Sequence, residues 1–200
     1  MNRQQFAIGF TAISILSALA SPLSAQTLER TVNMTVVKAS TKWVDSFDQG
    51  IIQYFAPDFY VIPTIDGRQL PKSKVVSDKM EPTFNHSVAT KVSLSKTKVP
   101  ISLKLMDSDT FPNSDDIADI NPLPGQDVLT LNYEPSTGSI YGPDGRKLGT
   151  KGQAIAVKGD KDKHGVEITF IVTHKDTTVT SPQLPQEPSC PVAGTNCQVK

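Results

Sequence analysis

Cysteine, tryptophan and histidine are scarce: two Cys, one Trp and three His occur in 200 residues. Both cysteines, Cys190 and Cys197, sit near the C-terminus, so the body of the chain folds without disulfides. His86, His164 and His174 are isolated and match no zinc-ligand spacing. The nucleophile-elbow pattern Gly-x-Ser-x-Gly, the zinc-protease pattern His-Glu-x-x-His and the phosphate-binding Gly-x-x-x-x-Gly-Lys pattern are all absent. Those absences point away from an enzyme. An excess of either charge is lacking too, with 20 Lys+Arg against 20 Asp+Glu, so nothing draws the chain generally to nucleic acid. Any electrostatic function has to come from a local cluster.

Long apolar runs are missing except at the start. Arg3 precedes an uncharged stretch, 6–20, and small residues follow in Ser21-Pro22-Leu23-Ser24-Ala25. The stretch is short for a membrane span, which needs roughly 20 residues. Its order predicts a secretory signal peptide over 1–25, cut after Ala25, and a secreted, periplasmic or extracellular location. Removing it takes away one basic residue and leaves 19 basic against 20 acidic groups. In an oxidising compartment, Cys190 and Cys197 are expected to close a small disulfide loop.

Period-two alternation fills the rest of the chain. Val32, Met34 and Val36 alternate with Asn33 and Thr35; Ile101, Leu103 and Leu105 with Ser102 and Lys104. The same holds for Leu129, Leu131 and Tyr133, and for Val166, Ile168, Phe170 and Val172. Residues 59–62 and 154–157 are rich in strand-favouring types. Asp66-Gly67, Pro124-Gly125, Thr137-Gly138 and Pro143-Asp144-Gly145 supply turns between runs. No stretch keeps a helical period over three turns. An all-β sandwich or barrel over 28–175 is predicted. The Pro-rich composition of 176–200 predicts an extended tail. Arg146, Lys147, Lys151, Lys158, Lys161 and Lys163 are interleaved with acids, which reads as a solvated hairpin.

One segment carries chemistry. Asp107, Asp109, Asp115, Asp116 and Asp119 place five carboxylates within thirteen residues, directly after a strand. Two like charges 4 Å apart repel by about 4 kcal/mol at an effective dielectric of 20. The loop therefore either spreads its acids into water or holds a hard cation, and calcium takes six to eight such oxygens. An EF-hand is excluded, because the fifth and sixth positions counted from Asp107 are Phe111 and Pro112.

The spacing Asp107-x-Asp109 with a third acid at Asp115 resembles the third calcium loop of C2 domains. Pro57-Asp58-Phe59-Tyr60-Val61 is similar to the element ending their first loop, and Lys79-Met80-Glu81-Pro82-Thr83-Phe84-Asn85 to a motif further on. Asp119-Ile120-Asn121-Pro122 looks like an exported branch of that family. The resemblance implies an eight-stranded antiparallel β-sandwich holding Ca2+ at one end. It assigns Asp58, Asp107, Asp109 and Asp115 as ligands. Asp116 replaces or supplements Asp115, and Asp48, rather than Asp45, stands for the first loop-one ligand. It also implies docking on an anionic phospholipid surface, with Phe111, Ile52 and Phe55 as apolar membrane contacts. The alternative is a calcium-stabilised module that binds an extracellular protein or glycan.

Overall fold

Alternation decides the first strand. Val32, Met34 and Val36 are fully buried, whereas Thr31, Asn33 and Thr35 between them are only half-buried, as a strand with one face on a core requires. The computed structural model describes residues 26–42, 56–109, 114–161 and 165–180. Asp48, Ile52, Phe55, Phe111, Cys190, Cys197 and the expected signal peptide lie outside the described residues.

The described strands are β1 (Gln26–Ser40), β2 (Phe59–Ile65), β3 (Arg68–Gln69), β4 (Thr83–Val92), β5 (Val99–Asp107), β6 (Asp116–Ala118), β7 (Leu129–Glu134), β8 (Ser139–Tyr141), β9 (Lys147–Thr150), β10 (Ile155–Lys158) and β11 (Glu167–Thr180). They build two sheets, one ordered β10-β11-β1-β4 and one ordered β3-β2-β5-β7-β8-β9, with β6 added beside β5. Pairing is antiparallel between β1 and β4, between β10 and β11, and throughout the second sheet. Among the described residues there are eleven strands rather than eight, partly because two- and three-residue pieces, β3 and β6, pair at the ends of β2 and β5. The inner faces share one core. Met34, Ile168 and Phe170 of the first sheet belong to the same buried cluster as Phe59, Leu103, Leu105 and Leu131 of the second.

Composition placed the tail at 176, but β11 continues through Thr180. Arg30 of β1 holds it there, donating from Nε and Nη2 to the two carboxylate oxygens of Asp176, each at 2.8 Å. The carboxyl of Asp176 is held below its usual range by this bond, and the guanidinium is pushed up.

Beside that pair, the buried Tyr133 hydroxyl of β7 bonds Nδ1 of His174 on β11, tying the sheets together. Burial pushes the phenol up to about 12. It pushes His174 below 6.5, helped by the charge of Lys151. A base whose folded value is depressed binds fewer protons folded than unfolded, so its contribution is present above pH 6.5 and fades on acidification below it. The urea midpoint is therefore expected to fall between about pH 7.5 and pH 5.5. His174→Gln should flatten that slope; an unchanged slope in the variant would assign it to other groups.

The acidic segment also divides. Asp119 is fully buried and is not part of a solvated loop. Its Oδ1 accepts the Asn121 N–H at 2.9 Å and its Oδ2 the Lys161 N–H at 2.8 Å, while its carbonyl accepts from Val166 N at 2.8 Å. Burial raises its pKa against those two bonds. Asp119 is thus a structural acid joining the segment after β6 to the turn between β10 and β11.

Candidate metal centre

The inner-face register of β5 runs Ile101, Leu103, Leu105 and then Asp107, so the last core position is a carboxylate. It is 1 % exposed. A charge placed there needs hydrogen bonds to offset lost hydration. Asp107 Oδ1 accepts the Asp58 N–H at 2.6 Å, and the Asp58 carbonyl accepts from Ser108 N at 3.0 Å. The antiparallel pairing of Phe59 with Asp107 brings the start of β2 against the end of β5. Two positions 49 residues apart thereby become neighbours.

Two of the remaining acids, Asp58 and Asp115, are aimed by backbone or phenol donors. Asp58 Oδ1 accepts the Asp78 N–H at 2.7 Å. Asp78 sits at φ 53°, left-handed backbone that costs a non-glycine residue about 1–2 kcal/mol. Asp115 Oδ1 accepts Asp109 N–H at 3.2 Å, and its Oδ2 accepts the Tyr60 O–H at 2.6 Å. Tyr60 is 5 % exposed, and burial together with that bond pushes its phenol up to about 12. Lys72 Nζ lies 4.5 Å above the Tyr60 ring, a cation–π contact on the same side chain. Asp116 stands across the ladder from Asp107 and is exposed.

Asp58, Asp107, Asp109, Asp115 and Asp116 therefore stand at one end of β2, β5 and β6. The places of Asp48, Ile52, Phe55 and Phe111 fall in 43–55 and 110–113, outside the described residues. Among the described residues, no group of three acidic, His or Cys side chains converges closely enough to hold a metal ion. The donor chemistry still fits calcium, because these residues offer carboxylate and carbonyl oxygens, with neither sulfur nor imidazole among them. Sequence reasoning missed the two supports, Tyr60 and the Asp78 amide. Tyr60 lies within the element around Asp58, but its contact to Asp115 crosses 55 residues. Asp78 carries no comparable signal.

Residues 30–129 match the family model described as C2 domain. No curated protein matches the chain by sequence. Among solved structures, one described as the structure of a C2 domain is 12% identical, with 73% of this chain and 98% of that chain covered and a TM-score of 0.45. Human GIVD cytosolic phospholipase A2, in complex with an inhibitor and terbium chloride, is 15% identical, with coverages of 76% and 18% and a TM-score of 0.43. The calcium-bound pair of C2 domains from Extended-Synaptotagmin 2 is 13% identical, with coverages of 74% and 47% and a TM-score of 0.46. The chain spans less than a fifth of the phospholipase and less than half of the synaptotagmin pair. These structural likenesses are too distant to carry an argument about activity.

Proposed function

Because the chain belongs to the C2 domain family, we propose that it is an exported, non-catalytic calcium-binding module that docks on anionic phospholipid through its acidic end. The observation that carries this reading is the bond from Asp58 N–H to Asp107 Oδ1, which unites the acids of two loops at one pole of the sandwich. Asp58, Asp107, Asp109 and Asp115 would hold the ion, with Asp48 and Asp116 as further donors. When bound, calcium supplies positive charge that attracts lipid phosphates. The chain's own part is to hold the carboxylates in place and to offer Phe111, Ile52 and Phe55 as apolar contacts.

Co-sedimentation with phosphatidylserine vesicles tests the reading. Binding is expected in calcium and not in chelator. Equal binding in both would remove the lipid role. Calcium binding without vesicle binding would favour a calcium-stabilised module for an extracellular protein or glycan.

Tyr60→Phe gives a second expectation. It removes the phenol that holds Asp115 Oδ2 and leaves the ring in place. Calcium affinity should fall about threefold to tenfold, near 1 kcal/mol, as a positioning hydrogen bond is lost. Calorimetric titration reads it directly. A rise in affinity would mean that the phenol competes with the ion for Asp115.

A further inference from the structure

The opposite pole of the sandwich carries different chemistry. β5 begins there at Val99, which pairs with Tyr133, while Asp107 lies at its far end. The turn after β7 and the end of β9 meet β11 around a cleft of about 450 Å3, whose walls include Ser136, Thr137, Gly138, Thr150, Lys151 and His174. Lys151 N–H donates to the Gly138 carbonyl at 2.7 Å, which fixes the backbone of one wall against the other. Among the described residues, the Lys151 ammonium enters no ion pair. The nearby Glu134 carboxylate accepts instead from the Thr137 hydroxyl at 2.8 Å. The Tyr133 phenol engages Nδ1 of His174, which leaves Nε2 as the ring nitrogen to offer a ligand.

We propose that this cleft binds a phosphate group, with Lys151 and His174 as its principal donors. An unpaired ammonium, an imidazole able to take up a proton, and the Ser136 hydroxyl together suit a tetrahedral oxyanion with acceptors in every direction. A flat carboxylate would need only part of that set. The walls are too polar for an apolar ligand, since ordinary ligand pockets of about 300–1,000 Å3 are mostly apolar. Four charged or titratable groups face His174: Lys151 from the β9–β10 turn, Arg30 from β1, Asp176 from β11 and Tyr133 from β7. Arg30 and Asp176 neutralise each other, so Lys151 is the unpaired charge that acts on His174, with the Glu134 carboxylate turned to Thr137. The site does not depend on calcium and stands or falls apart from the acidic end.

NMR of the purified protein provides the test, because only three histidines give imidazole signals. Titration with inorganic phosphate at constant ionic strength should move the His174 signals saturably and raise the pH of its transition, leaving His86 in place. Lys151→Met should weaken phosphate binding about tenfold through loss of one charge-assisted contact. His174→Gln, followed by calorimetry, should also weaken it. A parallel arm uses phosphatidic acid vesicles in chelator. Response to inorganic phosphate alone identifies a soluble source, and Lys151-dependent response to vesicles alone identifies a lipid headgroup. Equal shifts in chloride and phosphate, or binding unchanged in Lys151→Met, would overturn the proposal.

Discussion

Gly159→Ala is expected to remove about 4 kcal/mol or more of stability, a large part of the about 5–15 kcal/mol that holds a typical domain folded. A Cβ at this position would lie 2.6 Å from both Cγ and Oδ2 of Asp119, and closer still to the Asp119 carbonyl oxygen. Relief by a small local shift is blocked by what surrounds it. Gly159 N–H donates to the Val166 carbonyl at 3.1 Å, Asp160 N–H to the Asn121 carbonyl at 3.1 Å, and Val166 N–H to the Asp119 carbonyl at 2.8 Å. Asp119 itself is buried with both carboxylate oxygens engaged. Moving it would strand a buried charge, a costly outcome. Gly67→Ala is the control. It has open space around the added carbon and φ 77°, so only the left-handed backbone opposes it, at about 1–2 kcal/mol. Urea unfolding of the two variants measures the difference. A Gly159→Ala midpoint no lower than that of Gly67→Ala would show that the Asp119 junction yields, and that its hydrogen bonds contribute little.

That junction also marks where the sequence stops being legible. Asp119 reads as a fifth member of an acidic loop because its partners, Lys161 and Val166, lie more than forty residues away and are supplied by the β10–β11 turn. Strands with a clean apolar face, such as β5 and β7, are visible from alternation alone. β4 is harder to see: its inner positions run Phe84, His86, Val88, Thr90 and Val92, and two of those five are polar. Asn85 interrupts it further with φ 46°. The end of β11 is hidden for a related reason. Thr177, Thr178 and Val179 favour strands, but Asp176 and the prolines from Pro182 suggest a tail until Arg30, 146 residues away, is placed beside Asp176. At the candidate site, the spacing of Asp107, Asp109, Asp115 and Asp116 is local and stands out in the sequence, whereas Asp58 enters only through the resemblance. The donors that aim them, Tyr60 and the Asp78 amide, follow from strand register and a loop, which spacing does not encode.

Calcium at about 10 mM is expected to stabilise the protein by about 1.4–2.7 kcal/mol. The range follows from mass action on a folded-state site with a dissociation constant of about 0.1–1 mM, typical of extracellular calcium modules. The unfolded chain has nothing comparable to offer, because Asp58 and Asp107 meet only when β2 pairs with β5. Changing Asp107 and Asp109 together to Asn should abolish the calcium-dependent rise and calorimetric binding with it. In calcium-free buffer the double variant has a separate signature. The side-chain amide that Asp107→Asn introduces retains a carbonyl oxygen able to accept from Asp58 N–H. The junction of β2 with β5 therefore survives with a weaker, neutral hydrogen bond in place of a charge-assisted one. Removing two of the clustered charges relieves repulsion at the same pole. The calcium-free midpoint should therefore stay within about 1 kcal/mol of the parent, and the calcium increment alone should vanish. Thermal unfolding of both proteins in calcium and in chelator separates the terms. An equal rise in parent and double variant would place the stabilising ion elsewhere. No rise in the parent would leave Asp58, Asp107, Asp109 and Asp115 as a hydrogen-bonded loop junction whose carboxylates serve the fold alone.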